Sequence, residues 1–359
     1  MVFSAAPYVR DFLEGACASA LLCSASATSS AYASDAIGPL KDAFPKTRFV
    51  ESRLSTSSVA LAQGADVVCL FVNDDCDATI LAGLATAGVR LVALRCAGYD
   101  RVDVAAANAL GISVVRVPSY SPWAVAEHAV ALCLCLNRNL HKAYARVREG
   151  NYTLNGLTGF DMHNKTVGIV GTGQIGTIAG GIYARGFGCR VLGYDLYPSK
   201  EFTAFGGTYC TLAEMLPQCD IISLHAPLNK STIHLIGAEQ IAQMKRGAFI
   251  INTSRGALID MHAVIDGLTS GTVGALGIDV YEKEGRLFFT DFSSMDRTKR
   301  MLRGWDAQMA VLQSLPNVII TPHSAFLTNE ALDAIAKTTV DNISAWRRGD
   351  ALTNAVNPL

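Results

Sequence analysis

Val167-Gly168-Ile169-Val170-Gly171-Thr172-Gly173-Gln174-Ile175-Gly176 carries an apolar strand pattern into a G-x-G-x-x-G turn, and a helical pattern follows directly. A second apolar strand, Arg190-Val191-Leu192-Gly193-Tyr194, then ends on Asp195, 19 positions past the last glycine. Each part has a mechanical job. Gly171 suits a tight turn, Gly173 lets a pyrophosphate approach the backbone, and Gly176 lets the helix pack close to the strand. Gln174 and Ile175 open that helix, whose N-terminus offers N–H groups and partial positive charge to the same pyrophosphate. Asp195 can accept hydrogen bonds from an adenosine ribose diol. A bare G-x-G-x-x-G arises by chance in glycine-rich chains. Strand, helix, second strand and acid in one order point instead to dinucleotide binding. Leu196-Tyr197-Pro198 follows the acid with no Arg to receive a 2′-phosphate, so NADH is expected over NADPH.

The chain has 359 residues, enough for two domains with their own cores. Half of them are apolar and the formal net charge is −1, which predicts neither a nucleic-acid surface nor an acidic tail. No apolar run approaches the ~18 residues of a membrane span, so no membrane partner is expected. Ten cysteines are scattered with no C-x-x-C pair and no Cys/His cluster at zinc spacing. No metal site and no disulfide framework are therefore expected. This usage suits a reducing compartment: the cytoplasm, or a plastid or mitochondrion if a transit peptide lies upstream. Residues 17–34 are almost all Ala, Ser, Cys, Leu and Thr without Arg or Lys, and read as a surface insertion or small-residue helix.

The glycine motif begins only at Gly171, so a sizeable segment precedes the nucleotide domain. That segment has its own α/β rhythm. Apolar runs at 66–72, 89–94 and 112–117 alternate with helical stretches at 77–87 and 103–110, which Gly88 and Gly111 stop. Ser121-Pro122 then opens one long helix running towards Val147, apolar almost all round in its first half. Further strands are expected at 166–170, 190–194, 220–224, 248–252, 274–279 and 318–321, with helices centred near 180, 214, 241 and 265. A last helix over 329–347 has an apolar face that the first domain can cover. The expectation is an α/β protein with two doubly wound parallel-sheet domains. A Rossmann NAD-binding domain, 120–324, is inserted into a flavodoxin-like substrate domain made of 1–119 and 325–359, with a cleft between them.

Three residues that can do chemistry each follow a strand of the nucleotide sheet. Arg255 lies just past 250–252 and can clamp a carboxylate with two parallel hydrogen bonds. Glu282 and Glu284 follow the strand that ends at Asp279. His323 follows Val318-Ile319-Ile320-Thr321-Pro322. An isolated loop Arg is usually solvated and a lone His usually structural. An Arg, an acid and a His leaving parallel strands of one cofactor sheet are not independent coincidences. Reduction of a 2-keto acid needs a hydride donor, a proton donor to the new alkoxide and a cation for the carboxylate. His323 suits the proton, and a neighbouring carboxylate, with Glu284 the candidate, would favour its charged form and fix the ring tautomer. His128, His141, His163, His234 and His262 lie on helices or loops and are weaker candidates. His225 ends a strand without an acid nearby in sequence.

At this point the chain resembles the D-isomer-specific 2-hydroxyacid dehydrogenases, and within them the fermentative D-lactate dehydrogenases. The motifs are the glycine turn with Asp195, Asn252-Thr-Ser-Arg-Gly-Ala-Leu-Ile-Asp260, Asp279-Val-Tyr-Glu-Lys-Glu284 and Thr321-Pro-His323. The lactate branch is marked by Phe71-Val-Asn-Asp74, Leu94-Arg-Cys-Ala-Gly-Tyr-Asp100, Val117-Pro-Ser-Tyr-Ser-Pro122, Ala126-Glu-His128, Asn155-Gly-Leu-Thr-Gly159 and Leu287-Phe-Phe289. The resemblance implies that Arg255, Glu284 and His323 are catalytic, and it selects Glu284 over Glu282. It implies that Thr253, Ser254, Asp279, Ala226, Pro227 and Thr232 contact NAD. It also implies that the Ala97 and Gly98 backbone holds the substrate carboxylate, and that Tyr120 and Phe326 line a methyl pocket. Residues 3–8 resemble the family start, and the first family strand looks clipped. A homodimer or dimer of dimers through the nucleotide domain is expected, because the long helix from Ser121 is too apolar for a monomer surface. The implied activity is NADH-dependent reduction of pyruvate to D-lactate. A hydroxypyruvate or glyoxylate reductase would use the same machinery with another pocket, and an NAD-sensing corepressor would use the fold without turnover.

Overall fold

Near-continuous apolar strands need cover on both faces, and the strands of this protein pair in parallel as that requires. The computed structural model describes Met1, Phe44, Arg48, Val50 and residues 52–289, 291–293, 295, 296, 298, 300 and 306–357. The Ala/Ser-rich stretch 17–34 and the start 3–8 lie outside the described residues. The chain divides into two compact units, Met1–Ser121 with Leu327–Leu359, and Pro122–Phe326.

In the first unit, β1 (Val67–Leu70), β2 (Leu91–Leu94) and β3 (Ser113–Val115) lie in sequence order. Met1 runs beside β1: its N–H donates to the Val67 carbonyl at 2.8 Å, and its carbonyl accepts from the Cys69 N–H at 2.7 Å. Asp77 and Asp103 cap the helices Ala78–Thr86 and Val104–Ala109 through the N–H groups of Ile80 and Ala106. The final helix, Asn329–Arg348, lays Ala336, Val340 and Ile343 against Leu91, Ala93 and Val115. Asn357 then accepts from the Val114 N–H at 2.6 Å and donates to the Ile112 carbonyl at 2.8 Å, tying the C-terminal segment to β3.

The second unit holds β4 (Thr166–Val170), β5 (Arg190–Tyr194), β6 (Thr208–Tyr209), β7 (Ile221–Leu224), β8 (Ala248–Asn252), β9 (Val273–Ile278) and β10 (Val318–Ile320). Their order is β10-β9-β8-β7-β4-β5-β6, so the winding reverses between β4 and β7. Ligands of open α/β sheets bind outside the carboxyl ends of the strands at such a reversal. On one face the helix Pro122–Asn137 packs Ala126, Ala129, Cys133 and Leu136 into a core shared with Val167, Ile169, Ile251 and Ala275. No helix among the described residues is long and apolar enough to cross a membrane.

Two features differ from expectation. The single helix expected from Ser121 to Val147 is two, Pro122–Asn137 and Leu140–Arg148, broken where Asn139 takes a left-handed φ of 49°. The Asn137 side chain fixes the break, accepting from the Phe160 N–H at 2.9 Å and donating to the Phe160 carbonyl at 2.8 Å. The apolar half of this segment is therefore buried inside its own unit. The second difference is β6, a two-residue strand defined only by pairing Leu192 with Thr208 and Gly193 with Tyr209.

Candidate active site

Three glycines shape the turn after β4. Gly171 has φ +90°, and a Cβ there would lie 2.5 Å from the Ala226 nitrogen across the sheet reversal. A Cβ on Gly176 would lie 1.9 Å from the Gly171 carbonyl oxygen, so the helix Gln174–Phe187 can approach β4 only without a side chain at that position. Gly173 differs: a Cβ there would meet nothing within 4 Å. That open space lies at the helix N-terminus, where a pyrophosphate would face the N–H groups beyond Gly173. Gln174 is exposed and Ile175 half-buried at the same end. Farther along the strand ends, Thr253 Oγ1 is buried with no hydrogen-bond partner among the described residues. A buried hydroxyl without a partner is destabilising by about 1–3 kcal/mol, and a dinucleotide amide or hydroxyl would relieve it. The residues present fit NAD.

Around this cradle the neighbouring side chains hold loops in place. Ser254 Oγ donates to the Ala226 carbonyl at 2.7 Å. Thr232 Oγ1 accepts from the Asn229 N–H and donates to the Pro227 carbonyl, both at 2.8 Å, closing the loop past β7. Asp195 accepts from the Thr172 N–H at 2.6 Å and the Tyr197 N–H at 2.8 Å, which fixes its carboxylate beside the glycine turn.

The three chemical residues leave β8, β9 and β10. Past β10, His323 sits in the left-handed region at φ 55°. Its Nδ1 lies 2.9 Å from Glu284 Oε1, with both side chains only 15 % exposed. Glu284 Oε2 is held in turn by the Tyr281 N–H at 3.0 Å. A carboxylate accepts, so Nδ1 must donate and proton exchange is left to Nε2. Glu282 faces elsewhere, 3.6 Å from His234. Gly256 brings the Arg255 turn against the turn holding Glu284: a Cβ on Gly256 would lie 2.2 Å from both the Tyr281 carbonyl carbon and the Glu282 nitrogen. Asn252 fixes that turn, donating to the Arg255 carbonyl at 2.8 Å and accepting from the Ser254 N–H at 3.0 Å.

The left-handed His323 is held by Asp279, whose side chain is fully buried. Asp279 Oδ1 accepts from Thr321 Oγ1 at 2.5 Å and the Ser324 N–H at 2.8 Å, and Oδ2 accepts from the Ala325 N–H at 2.8 Å. The Asp279 carbonyl takes the His323 N–H at 2.8 Å. Sequence reasoning ranked His128 among the weaker candidates and gave it no partner. Its Nε2 stands 3.0 Å from Thr321 Oγ1, which already donates to Asp279, so the imidazole must donate. The signal was faint, one member of a Glu127-His128 pair on an otherwise apolar stretch of helix. His225 is a poor proton donor: burial pushes its pKa down to about 4, which disfavours the charged ring.

Phe326 is buried at the end of this unit. Phe289 lies with its ring centroid 6.4 Å from that of His323. A cavity of about 290 Å³ beside Thr321 and Pro322 is walled by Phe288, Phe289, Phe292 and Met309. Ala97, Gly98 and Tyr120 belong to the first unit. There Arg116 Nη1 donates to the Ala97 carbonyl at 2.8 Å and Cys96 Sγ to the Gly98 carbonyl at 3.2 Å, fixing the loop after β2.

Comparison with known proteins agrees with this geometry. The family model for the NAD binding domain of D-isomer specific 2-hydroxyacid dehydrogenases matches residues 130–325. D-lactate dehydrogenase of Escherichia coli is 44 % identical over 306 residues, 85 % of this chain and 91 % of that protein. A solved structure of the pyruvate reductase of Chlamydomonas reinhardtii superposes with TM-score 0.87 at 48 % identity, covering 98 % of this chain and 97 % of that one. D-lactate dehydrogenase of Aquifex aeolicus, solved with NAD and lactic acid, superposes with TM-score 0.81 at 29 % identity over 100 % and 99 % of the two chains. A dinucleotide cradle at the sheet reversal, a partly buried acid–imidazole pair and relatives aligned over most of the chain lead to one conclusion: this protein belongs to the D-isomer specific 2-hydroxyacid dehydrogenases and uses NAD.

Proposed function

We propose that the chain reduces pyruvate to D-lactate with NADH, reversibly. The observation that carries this reading is the 2.9 Å contact between His323 Nδ1 and Glu284, which leaves Nε2 for a substrate oxygen. NADH, when bound, supplies the hydride. In this reading the Arg255 guanidinium holds the substrate carboxylate in a two-pronged clamp, and His323 Nε2 passes its proton to the carbonyl oxygen as that oxygen becomes an alkoxide. Glu284 accepts from Nδ1 and so keeps the ring in one tautomer. Relatives named for D-lactate dehydrogenase and pyruvate reductase favour pyruvate among the small keto acids. Initial rates over pyruvate, glyoxylate and hydroxypyruvate, with chiral analysis of the product, test the proposal. Pyruvate should give the highest kcat/KM and the product should be the D isomer. NADH should be preferred to NADPH by at least about tenfold, or ~1.4 kcal/mol. A higher kcat/KM for hydroxypyruvate or glyoxylate would move the chain to the sister activity. NADH binding without turnover of any keto acid would favour the corepressor reading.

We also propose a homodimer, or a dimer of dimers, through the nucleotide unit. The apolar half of the helical segment is buried internally, so the surface in question is the next helix. Leu140, Tyr144 and Val147 stand one turn apart on Leu140–Arg148 and are 54 %, 66 % and 48 % exposed. Tyr152 and Leu154 extend the patch just beyond, also exposed. Apolar patches of this kind mark contacts, and a two-fold axis is the common way to cover one. Sedimentation at micromolar protein should show at least twice 38.1 kDa, and a single species at 38.1 kDa would refute the dimer.

A further inference from the structure

Strand β6 places one polar side chain that the glycine motif does not call for. Tyr209 leans on the buried ring of Phe202, centroids 5.1 Å apart, and its hydroxyl sits between two partners. Ser199 N–H lies 2.7 Å from it on one side and Thr172 Oγ1 2.7 Å on the other. Thr172 Oγ1 lies 3.2 Å from Asp195 Oδ2. Each donor's direction is fixed. Ser199 N–H can only donate and the carboxylate can only accept, so the protons run from Ser199 to Tyr209, from Tyr209 to Thr172, and from Thr172 to Asp195. Together with the N–H groups of Thr172 and Tyr197, this relay engages both carboxylate oxygens of Asp195.

An aspartate on two rotatable bonds can swing away from a ligand. Three donors arriving from the glycine turn and from the loop after β5 prevent that. A fixed carboxylate serves a ribose diol well and repels a 2′-phosphate, and selectivity needs the repulsive element as much as the attractive one. We infer that Tyr209, acting through Thr172, is a positioning residue for coenzyme selectivity that locks Asp195 in the orientation excluding NADPH. The inference rests on reading Asp195 as the acceptor for the adenosine ribose.

The test measures Kd for NADH and for NADPH by fluorescence titration without keto acid, so turnover plays no part. Tyr209→Phe keeps the ring on Phe202 and removes the hydroxyl; Thr172→Val removes the next link, and Thr172→Ser restores it. Tyr209→Phe and Thr172→Val should each lower the NADH-over-NADPH preference by roughly 3–10-fold, the size expected for one hydrogen bond in the relay. The double variant should lower it no further, since both changes cut one chain. Thr172→Ser should keep the wild-type ratio, which a loss of packing alone would not explain. Asp195→Ala separates the two levels. If it collapses the preference while Tyr209→Phe and Thr172→Val leave it at the wild-type value, the relay is overturned and the ribose reading survives. If Asp195→Ala also leaves the preference intact, the ribose reading falls and the inference with it.

Discussion

His323→Ala should lower kcat for keto-acid reduction by roughly 10²–10⁴, the usual size of a general acid–base contribution, with NADH affinity little changed. Neither His225 nor His128 is suited to replace the imidazole. Burial disfavours the charged ring of His225, with its pKa at about 4, and His128 spends its Nε2 proton on Thr321. Reduction takes a proton from the His323 ring and so requires the imidazolium. Oxidation of the hydroxy acid returns that proton and so requires the neutral ring. One group should therefore serve both directions, in opposite protonation states. Glu284→Gln removes the carboxylate charge 2.9 Å from Nδ1, so kcat for reduction should fall while NADH affinity holds. Rates in both directions, with NADH titration, measure all of this. A His323→Ala enzyme with near-normal kcat would take the residue out of the mechanism.

Arg255→Ala should act on binding of the keto acid rather than on the proton. Losing one partner of a hydrogen-bonded charge pair costs about 2–5 kcal/mol, so kcat/KM for pyruvate should fall by roughly 30–5,000-fold, mostly through KM. Arg255→Lys should recover only part of the loss, because an ammonium is a point charge and cannot form the two-pronged clamp. NADH titration should be unchanged in both variants. A drop confined to kcat, with KM at the wild-type value, would contradict the carboxylate clamp.

The sequence announces the residues that follow strands. An apolar run at 318–320 or 248–252 has to be a buried strand, and its next polar residue has to stand at the carboxyl edge of the sheet. Arg255, His323, the Glu282/Glu284 pair and the three glycines were legible for that reason, and only the family resemblance chose Glu284 from its pair. Features set by distant partners were not. Asn139 breaks the helix because Asn137 bonds to Phe160, 23 positions away, and helical periodicity carries no trace of such a bond. The contact of His128 spans 193 positions. Tyr209 lies on a strand too short to have a pattern and acquires its place only by pairing with β5. The left-handed φ of His323 was equally hidden, since its cause is the carboxylate of Asp279, 44 positions back in the chain, bonding to the residues that follow it.

The first unit is assembled from both ends of the chain, and this has a consequence for biogenesis. Its β3 exposes the Val114 N–H and Ile112 carbonyl until Asn357 covers them, and Leu91, Ala93 and Val115 lack their helix until 329–348 is made. During synthesis the second unit, Pro122–Phe326, leaves the ribosome complete while the first is still missing part of its core. Nascent chains usually fold from the N-terminus onward, domain by domain. Here the order is inverted: the unit 122–326 can mature first, while the strand surface of the unit that precedes it stays uncovered until 329–357 emerge.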